Sequence, residues 1–343
     1  MGAVSTGEGG STATEGRVTI HDVARLAGVS RQTVTRAMND MTGISAETRT
    51  RVLRAASLLG YRPNRAARAM VQGSGTTLGL VIRSLWNPFF AEIAESVIDA
   101  VHGRQWNLHL SYVGSGGRDA HAVVRDMAPE VDAVIGYLPP GIGAALPSFT
   151  GPLIQLDISG DDSPDAGFRF AVEHDLELVV RRFVEAGRRR VAMIDGTTTG
   201  GPSVRAPIFA ELARAAGIWD ERGGVVSADE SPAGASVAVG ELLDRSPEVD
   251  ALFVFNDVMA LGVMHELTRR GVAIPGDVAV VAMDGIQLGA YSSPPLTTVD
   301  LDPRGLGRAA VEAAGDMLAG QAPRGGRGAQ WERRHRLLLR DSG

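Results

Sequence analysis

The stretch VTIHDVARLAGVSRQTVTRAMN, residues 18–39, determines the fold of the amino-terminal part of the chain. Apolar residues at helical spacing predict a first helix from Ile20 to Ala27, namely Ile20, Val23, Ala24 and Ala27. Gly28 can adopt the left-handed conformation that ends a helix, and Ser30 is a suitable N-cap for a second helix. The pattern therefore predicts two short helices joined by a sharp turn, as in a helix-turn-helix.

The second of these helices is predicted to have one buried and one polar face. Val34, Ala37 and Met38 repeat the helical spacing of a buried face. The polar side chains then face outward: Arg31, Gln32, Thr35 and Arg36. Arginine can donate two hydrogen bonds to guanine and glutamine can pair with adenine in the major groove. We expect this face to read DNA, and a solvated amphipathic hairpin is the alternative.

Charge is distributed unevenly along the chain. Residues 17–72 contain ten arginines and three acidic residues, a net charge of +7, whereas the whole chain has a formal net charge of −6. A basic module within an acidic protein is typical of a surface that binds phosphates. The charge pattern therefore favours DNA binding over the solvated hairpin.

A third helix and a short basic segment follow the predicted helix-turn-helix. The third helix is predicted to run from an N-cap at Ser45 to Gly60, with a buried face of Val52, Leu53, Ala56 and Leu59. Residues 64–72 have a helical pattern but are too short to fold alone. Two interpretations stay open: a hinge helix that orders on DNA with Met70 in the minor groove, and an ordinary linker.

Residues 19–39 and 45–70 resemble the DNA-binding head and hinge of the LacI/GalR regulators, the family of the lactose and purine repressors. The resemblance implies base contacts by Arg31, Gln32 and Arg36. It implies phosphate or supporting contacts by Thr19, Ser30, Thr33 and Asn39. It places Met70 where the family has a minor-groove leucine, and methionine is a longer and softer wedge. Further DNA contacts are expected at Thr35, Tyr61, Asn64 and Ala67.

The rest of the chain, from Leu78 onward, alternates short apolar runs with helical stretches. This alternation predicts parallel sheets, and two successive doubly wound lobes fit it best. In such sheets ligands bind at the carboxyl ends of the strands. Polar side chains are predicted at those ends: Asp157, Asp195, Asn256 and Asp284. Carboxylates and amides suit a ligand with hydroxyl groups, such as a sugar or a nucleoside.

Residues 78–93, 253–271 and 274–285 are similar to the effector-binding core of the same family, which is akin to periplasmic sugar-binding proteins. The resemblance implies a small-molecule effector flanked by aromatic rings and held by polar groups: Phe89, Phe90, Asp157, Arg205, Asn256 and Asp284. Asn256 as a simple helix cap and Phe90 as plain core are the alternatives. The chain departs from the family pattern at Ile208 and Arg188, where glycine and histidine are usual.

These patterns divide the chain into an all-α head and an α/β core of two lobes, and the resemblance implies that the core has the architecture of periplasmic binding proteins. The predicted boundaries are a disordered tail at 1–16, a helix-turn-helix domain at 17–62, a hinge helix and linker at 63–77, an N-lobe at 78–170 with 302–330, and a C-lobe at 171–301 with 331–343.

Several classes of function are disfavoured by composition. The chain has no cysteine, and its seven histidines form no metal-binding spacing, so we expect no catalytic residues, no metal and no cofactor. No apolar run is long enough to span a membrane and no secretory signal is visible. The sequence thus predicts a cytoplasmic protein without a membrane partner, associated with the nucleoid when bound to DNA.

The sequence predicts a transcription regulator that is controlled by an effector, a repressor rather than an activator. A homodimer on a near-palindromic double-stranded operator is expected, because two heads on a two-fold axis place their recognition helices about one DNA turn apart. The resemblance implies an interface formed by the helix after Asn87 and by residues 257–283. Two alternatives stay open: a constitutive DNA-binding regulator with a ligand-free pocket, and an enzyme fused to a DNA-binding head.

Overall fold

The computed structural model describes residues 19–38, 43–59, 75–114, 119–139, 141–146, 149–158, 166–196, 202–321 and 330–343. The chain forms two compact units, residues 1–74 and 75–343, referred to as the head and the core. Some predictions lie outside the described residues: the tail at 1–16, Asn39, and the hinge residues Tyr61, Asn64, Ala67 and Met70.

In the described part of the head, residues 19–38 and 43–59, three helices are present: α1 (Ile20–Ala27), α2 (Arg31–Met38) and α3 (Ala46–Leu58). Each begins at a polar residue that forms a local hydrogen bond. The Asp22 carboxylate accepts from the Thr19 backbone N–H at 2.9 Å, and the Ser30 and Ser45 hydroxyls accept from backbone N–H groups three residues later. Gly28 has φ 64°, which lets the chain turn between α1 and α2.

A small apolar core holds the three helices of the head together. It consists of buried side chains from each helix, including Val23, Ala27, Val34, Ala37, Val52 and Ala56. Leu53, which was predicted to be buried, is 46% exposed, and Ala55 is buried instead. Residues 52, 55, 56 and 59 lie on one side of a helix, whereas position 53 lies about 100° away.

The core consists of alternating strands and helices. Its first part contains β1 (Thr77–Ile82), α4 (Pro88–Gly103), β2 (Asn107–Tyr112), α5 (Ala120–Met127), β3 (Ala133–Gly136), α6 (Ile142–Ala145), β4 (Leu153–Gln155) and β5 (Ala166–Phe170). Its second part contains α7 (Val172–Glu185), β6 (Val191–Gly196), α8 (Arg205–Ala215), β7 (Val225–Ala228), α9 (Pro232–Arg245), β8 (Ala251–Val254), α10 (Asp257–Arg269), β9 (Ala279–Asp284), a 3₁₀ helix (Gln287–Tyr291) and β10 (Thr297–Asp300). The chain ends with α11 (Pro303–Leu318), β11 (Gln330–Arg333) and β12 (Arg336–Leu338).

Among the described residues of the core, two six-stranded sheets form two lobes. The N-lobe sheet has the order β11-β5-β4-β3-β1-β2 with every pair parallel, and the C-lobe sheet has the order β12-β10-β9-β8-β6-β7. Only β12 runs antiparallel in the second sheet. The predicted fold of two doubly wound lobes is confirmed.

The chain passes between the lobes after β5, after β10 and after β11. Two predicted boundaries need correction. The lobe boundary at Trp331 lies inside β11, which pairs with β5 of the N-lobe, and the Trp331 ring stacks on Phe168 at 5.1 Å. The predicted linker to Thr77 overlaps the core, since that unit begins at Gly75 and β1 at Thr77.

Close packing of α9 on α10 gives a test of the core. Gly262 of α10 is buried, and a Cβ built on it would lie 2.0 Å from the Pro232 carbonyl oxygen. We expect Gly262→Ala to destabilise the core by about 1–3 kcal/mol, because backbone must move to make room. Gly103→Ala is the matched control, since its Cβ would meet nothing within 4 Å. Urea unfolding would measure both, and equal stability of the two variants would contradict the packing.

Candidate nucleic-acid interface and ligand cavity

In the head, α2 presents a polar surface formed by Arg31, Gln32 and Arg36, all exposed. Among the described residues, none of these three side chains has a hydrogen bond or an ion pair. Thr35 is half-buried, and its hydroxyl donates to the Arg31 carbonyl oxygen at 3.1 Å. The three longer side chains are therefore the available donors on this face.

The smaller polar residues of the head stabilise its backbone. The Ser30 and Thr33 hydroxyls lie 2.9 Å apart, and the Thr19 hydroxyl donates to Asp22 at 2.7 Å. Hydrogen bonds from the Thr19 backbone and hydroxyl hold the pKa of Asp22 below its usual value. These contacts suit a supporting role, in which the helix ends are fixed and α2 is held in place.

In the core, a cavity of about 180 Å³ lies between the lobes. All the predicted effector residues line it: Phe89, Phe90, Asp157, Arg205, Asn256 and Asp284. It is also lined by residues that the sequence analysis did not select: Arg83, Asn87, Tyr137, Phe170, Ser203, Val204, Glu230, Phe255 and Leu301. The structure thus brings residues from most of the core to one place.

Strand direction explains this convergence. Arg83 directly follows β1, Tyr137 follows β3, and Phe255 follows β8. Asp284 is the last residue of β9, and Glu230 comes two residues after β7. Because parallel strands present their carboxyl ends on one edge, their following residues meet there. Asp157 was predicted because it is a polar residue at the carboxyl end of a strand. Arg83 and Glu230 meet the same condition and could have been predicted in the same way.

One wall of the cavity is aromatic. Phe90 packs edge-on against Phe89 at 5.3 Å and against Tyr137 at 5.1 Å between ring centroids. Phe89 and Phe90 are only 4% and 6% exposed and belong to the apolar core as well. The two interpretations of Phe90 are therefore compatible, since one ring serves both the core and the cavity wall.

Arg205 is held at the cavity by Phe255. Its Nη1 donates to the Phe255 carbonyl oxygen at 2.6 Å, and its guanidinium carbon lies 4.4 Å from the centroid of the Phe255 ring. Ile208, one turn later in α8, is half-buried against the core. The departure at Ile208 therefore does not move Arg205 away from the cavity.

Asp284 and Asp257 are buried carboxyl groups at the end of the C-lobe sheet. Burial, together with the nearby charge of Asp257, raises the pKa of Asp284 well above its usual value. Burial raises the pKa of Asp257 to about 7, although it accepts hydrogen bonds from the Ile286 N–H at 2.9 Å and from the Thr298 hydroxyl. Asp284 also has φ 135°, a strained conformation of the kind that occurs at functional sites.

Asp157 and Tyr137 add further polar groups to the cavity. The Asp157 side chain is exposed to the cavity but surrounded by protein, and this desolvation raises its pKa, partly offset by Arg205 and Arg83. Burial and the charges of Asp157 and Asp284 raise the pKa of the Tyr137 hydroxyl well above its usual value. The cavity can therefore offer both hydrogen-bond donors and acceptors to a ligand.

Two predicted strand-end residues have structural partners. Asn256 Oδ1 accepts from the Met259 N–H at 2.8 Å, so it caps α10 while its side chain also lines the cavity. Asp195 was expected at the cleft, but it is fully buried and not among the lining residues. Its carboxylate instead accepts from the Ser203 N–H at 2.8 Å and hydroxyl at 2.6 Å, which positions Ser203 in the wall.

Comparison with known proteins decides the family. Residues 19–64 match the bacterial regulatory proteins of the lacI family, and residues 180–342 match the periplasmic binding protein-like domain. A repressor named PurR from Aliivibrio fischeri is 30% identical, over 86% of this chain and 90% of its own length. The chain belongs to the lacI family. It is thus a transcription regulator with a DNA-binding head.

Two solved structures support this assignment. A LacI family regulator from Arthrobacter in complex with lactose is 34% identical, with a TM-score of 0.71 over 78% of this chain and 99% of that one. The lac repressor dimer bound to operator and an anti-inducer is 27% identical, with a TM-score of 0.70 over 95% of this chain and 98% of that one. Both share the two-lobed core.

The described part of the chain contains no cluster of three or more His, Asp or Glu side chains placed to hold a metal ion. Within the same residues, no helix has the length and apolar character needed to cross a membrane.

The raised pKa of Asp257 predicts a pH effect on stability. The pKa of Asp257 is raised from 3.8 to about 7 in the folded core. The stability that protonated Asp257 contributes to the folded state is therefore fully present below about pH 4 and is lost as the pH rises through 7. Asp257→Asn should therefore gain stability relative to the wild type between pH 4 and 8, by up to about 4 kcal/mol. Urea unfolding across that range would measure it. The exposed control Asp316→Asn should differ from the wild type by the same free energy of unfolding at every pH. The same result for Asp257→Asn would contradict the raised pKa of Asp257.

Proposed function

We propose that this lacI-family regulator is a repressor that binds a near-palindromic operator as a homodimer and is controlled by a small sugar in the inter-lobe cavity. The observation that carries the proposal is the convergence of charged and aromatic side chains on one cavity, in a chain that also has a helix-turn-helix head. The lactose complex of a relative supports a sugar, and a nucleoside is the second ligand class.

DNA recognition is assigned to α2 and the hinge. Arg31, Gln32 and Arg36 are the exposed donors that suit base edges in the major groove. Thr19, Ser30, Thr33, Thr35 and Asn39 are assigned to phosphate or supporting contacts. In the hinge, the proposal adds Tyr61, Asn64, Ala67 and Met70. The lac repressor dimer bound to operator, 27% identical over 95% of this chain, supports this assignment.

Ligand recognition is assigned to groups that face each other across the cavity. Asp157 and Asp284 can accept hydrogen bonds from sugar hydroxyls, and Arg205 can donate to them. Phe89 and Phe90 provide an apolar surface for the face of a sugar ring. A volume of about 180 Å³ is below the range of roughly 300–1,000 Å³ for drug-sized ligands, which favours a small occupant.

The dimer interface is assigned to exposed apolar side chains of the core. Trp86 and Ile98, before and within α4, are 64% and 51% exposed, which agrees with the interface expected after Asn87. Leu288 and Tyr291 of the 3₁₀ helix are 51% and 85% exposed. Residues 257–283 contain no exposed large apolar side chain, so we place this part of the interface at the 3₁₀ helix instead.

Control of DNA binding follows from linkage. A ligand that contacts both lobes stabilises the arrangement in which the lobes are close together. If that arrangement also changes how two hinges pair on DNA, then ligand and operator alter each other's affinity by the same factor. No catalytic residue is part of this proposal, and the relatives are transcription regulators.

Arg36→Ala tests the DNA-reading face. Loss of a bidentate contact to guanine should weaken binding to an operator selected from genomic DNA by about 1–3 kcal/mol. Fluorescence anisotropy would measure the affinity. Arg54→Ala is the matched control, because it removes the same charge from an exposed position on α3. Equal affinities for the two variants would contradict the assignment of Arg36.

A ligand panel tests the cavity. Lactose, cellobiose, their monosaccharides and purine nucleosides would be compared by the Tm of the core, which a ligand of the folded state raises. Asp284→Asn should weaken the binding of the stabilising ligand more than about tenfold, because the amide has one acceptor oxygen where the carboxyl group has two. Asp316→Asn should leave it unchanged. A panel without any Tm shift would instead favour a constitutive regulator.

A further inference from the structure

The two walls of the cavity carry complementary charges. On the N-lobe wall are Arg83 and Asp157, and on the C-lobe wall are Glu230 and Arg205. Arg205 is the charge that most favours the ionised form of Asp157, followed by Arg83. Each lobe therefore presents a cation and an anion to the other. Arg83 attracts Glu230, and Arg205 attracts Asp157, when the lobes approach.

One of these pairs is in direct contact across the cleft. Arg83 Nη2 lies 3.2 Å from Glu230 Oε1, with side chains 41% and 24% exposed. Arg83 directly follows β1 of the N-lobe, and Glu230 precedes Ser231, the N-cap of α9 in the C-lobe. Both partners are attached to the ends of regular elements, so their separation follows the distance between the lobes.

A second contact joins the lobes outside the cavity lining. The backbone N–H of Gln287, in the 3₁₀ helix of the C-lobe, donates to Glu92 Oε1 of α4 at 3.1 Å. Glu92 also lies 4.0 Å from Arg304 of α11, which packs on the N-lobe. These two contacts therefore join the lobes at separate places, one lining the cavity and one beyond it.

We propose that the Arg83–Glu230 pair is a clasp that sets the equilibrium between open and closed forms of the core before any effector binds. Its two groups attract only when the lobes are close, so the pair stabilises the closed form alone. The attraction is partly exposed and is screened by salt. The clasp adds to the proposed effector control but does not depend on which ligand binds.

The absence of cysteine from the chain allows a direct test. Asp126→Cys on α5 and Glu241→Cys on α9 provide spin-label positions that are exposed, one on each lobe. Double electron–electron resonance on the full-length protein, diluted with unlabelled protein and free of ligand, would report the distance between lobes. Glu230→Gln should shift the ratio of open to closed forms about two- to fivefold toward open. Glu230→Lys should shift it further.

Two further measurements distinguish the loss of the Arg83–Glu230 attraction from a general loss of stability: exchange of the two charges, and a change of salt concentration. The double variant Arg83→Glu with Glu230→Arg should restore the closed population, and raising the salt from 0.05 to about 0.5 M should open the wild type but not Glu230→Gln. Glu248→Lys is the matched control, because Glu248 pairs with Arg190 at 3.0 Å within the C-lobe. The same distance distribution in wild type, Glu230→Lys and the control would overturn the proposal, as would a charge exchange that leaves the lobes open.

Discussion

The direction of the parallel strands is the constraint on which the rest of the core depends. A parallel sheet places the carboxyl ends of its strands on one edge, and the core has two such sheets whose edges face one cleft. Residues just beyond the strands therefore collect there, although they lie as far apart in the chain as Arg83 and Asp284. The cavity is a consequence of topology, and the side chains at those positions determine its chemistry.

Those side chains are costly for stability. Burial raises the pKa of Asp157 and Asp284, which means that their charged forms are disfavoured in the folded core. Asp284 adds a strained backbone conformation. A core selected for stability alone would have apolar groups at these positions. Their presence is understood if a ligand or the opposite lobe supplies partners, as Glu230 does for Arg83.

Much of the head was predictable because its signals are local. Spacing, Gly28 and Ser30 gave the bounds of α1 and the start of α2, and both were confirmed. Leu53 shows the limit, since one position along a helix turns a side chain by about 100°, enough to take it out of the buried face. Whether the assigned side chains contact DNA stays a prediction, because their outward position is necessary but not sufficient.

The core was predictable in class but not in detail. The pattern of apolar runs predicted the alternation of strands and helices but not every element, and β11 has a polar sequence whose pairing depends on distant β5. Asp195 was wrongly predicted to line the cleft, because its hydrogen-bond partner Ser203 lies eight residues later in the chain and could not be inferred from the strand pattern. Arg83 and Glu230 could have been found by strand position, but their contact depends on the approach of two lobes, which no local pattern encodes.

The most direct test of the account is the coupling between the cavity and the head. Affinity for a selected operator duplex would be measured by fluorescence anisotropy, with and without a saturating amount of the ligand that raises the Tm of the core. We expect the ligand to change operator affinity by about 5- to 150-fold. A ligand that binds in the cavity and leaves operator affinity unchanged would contradict it.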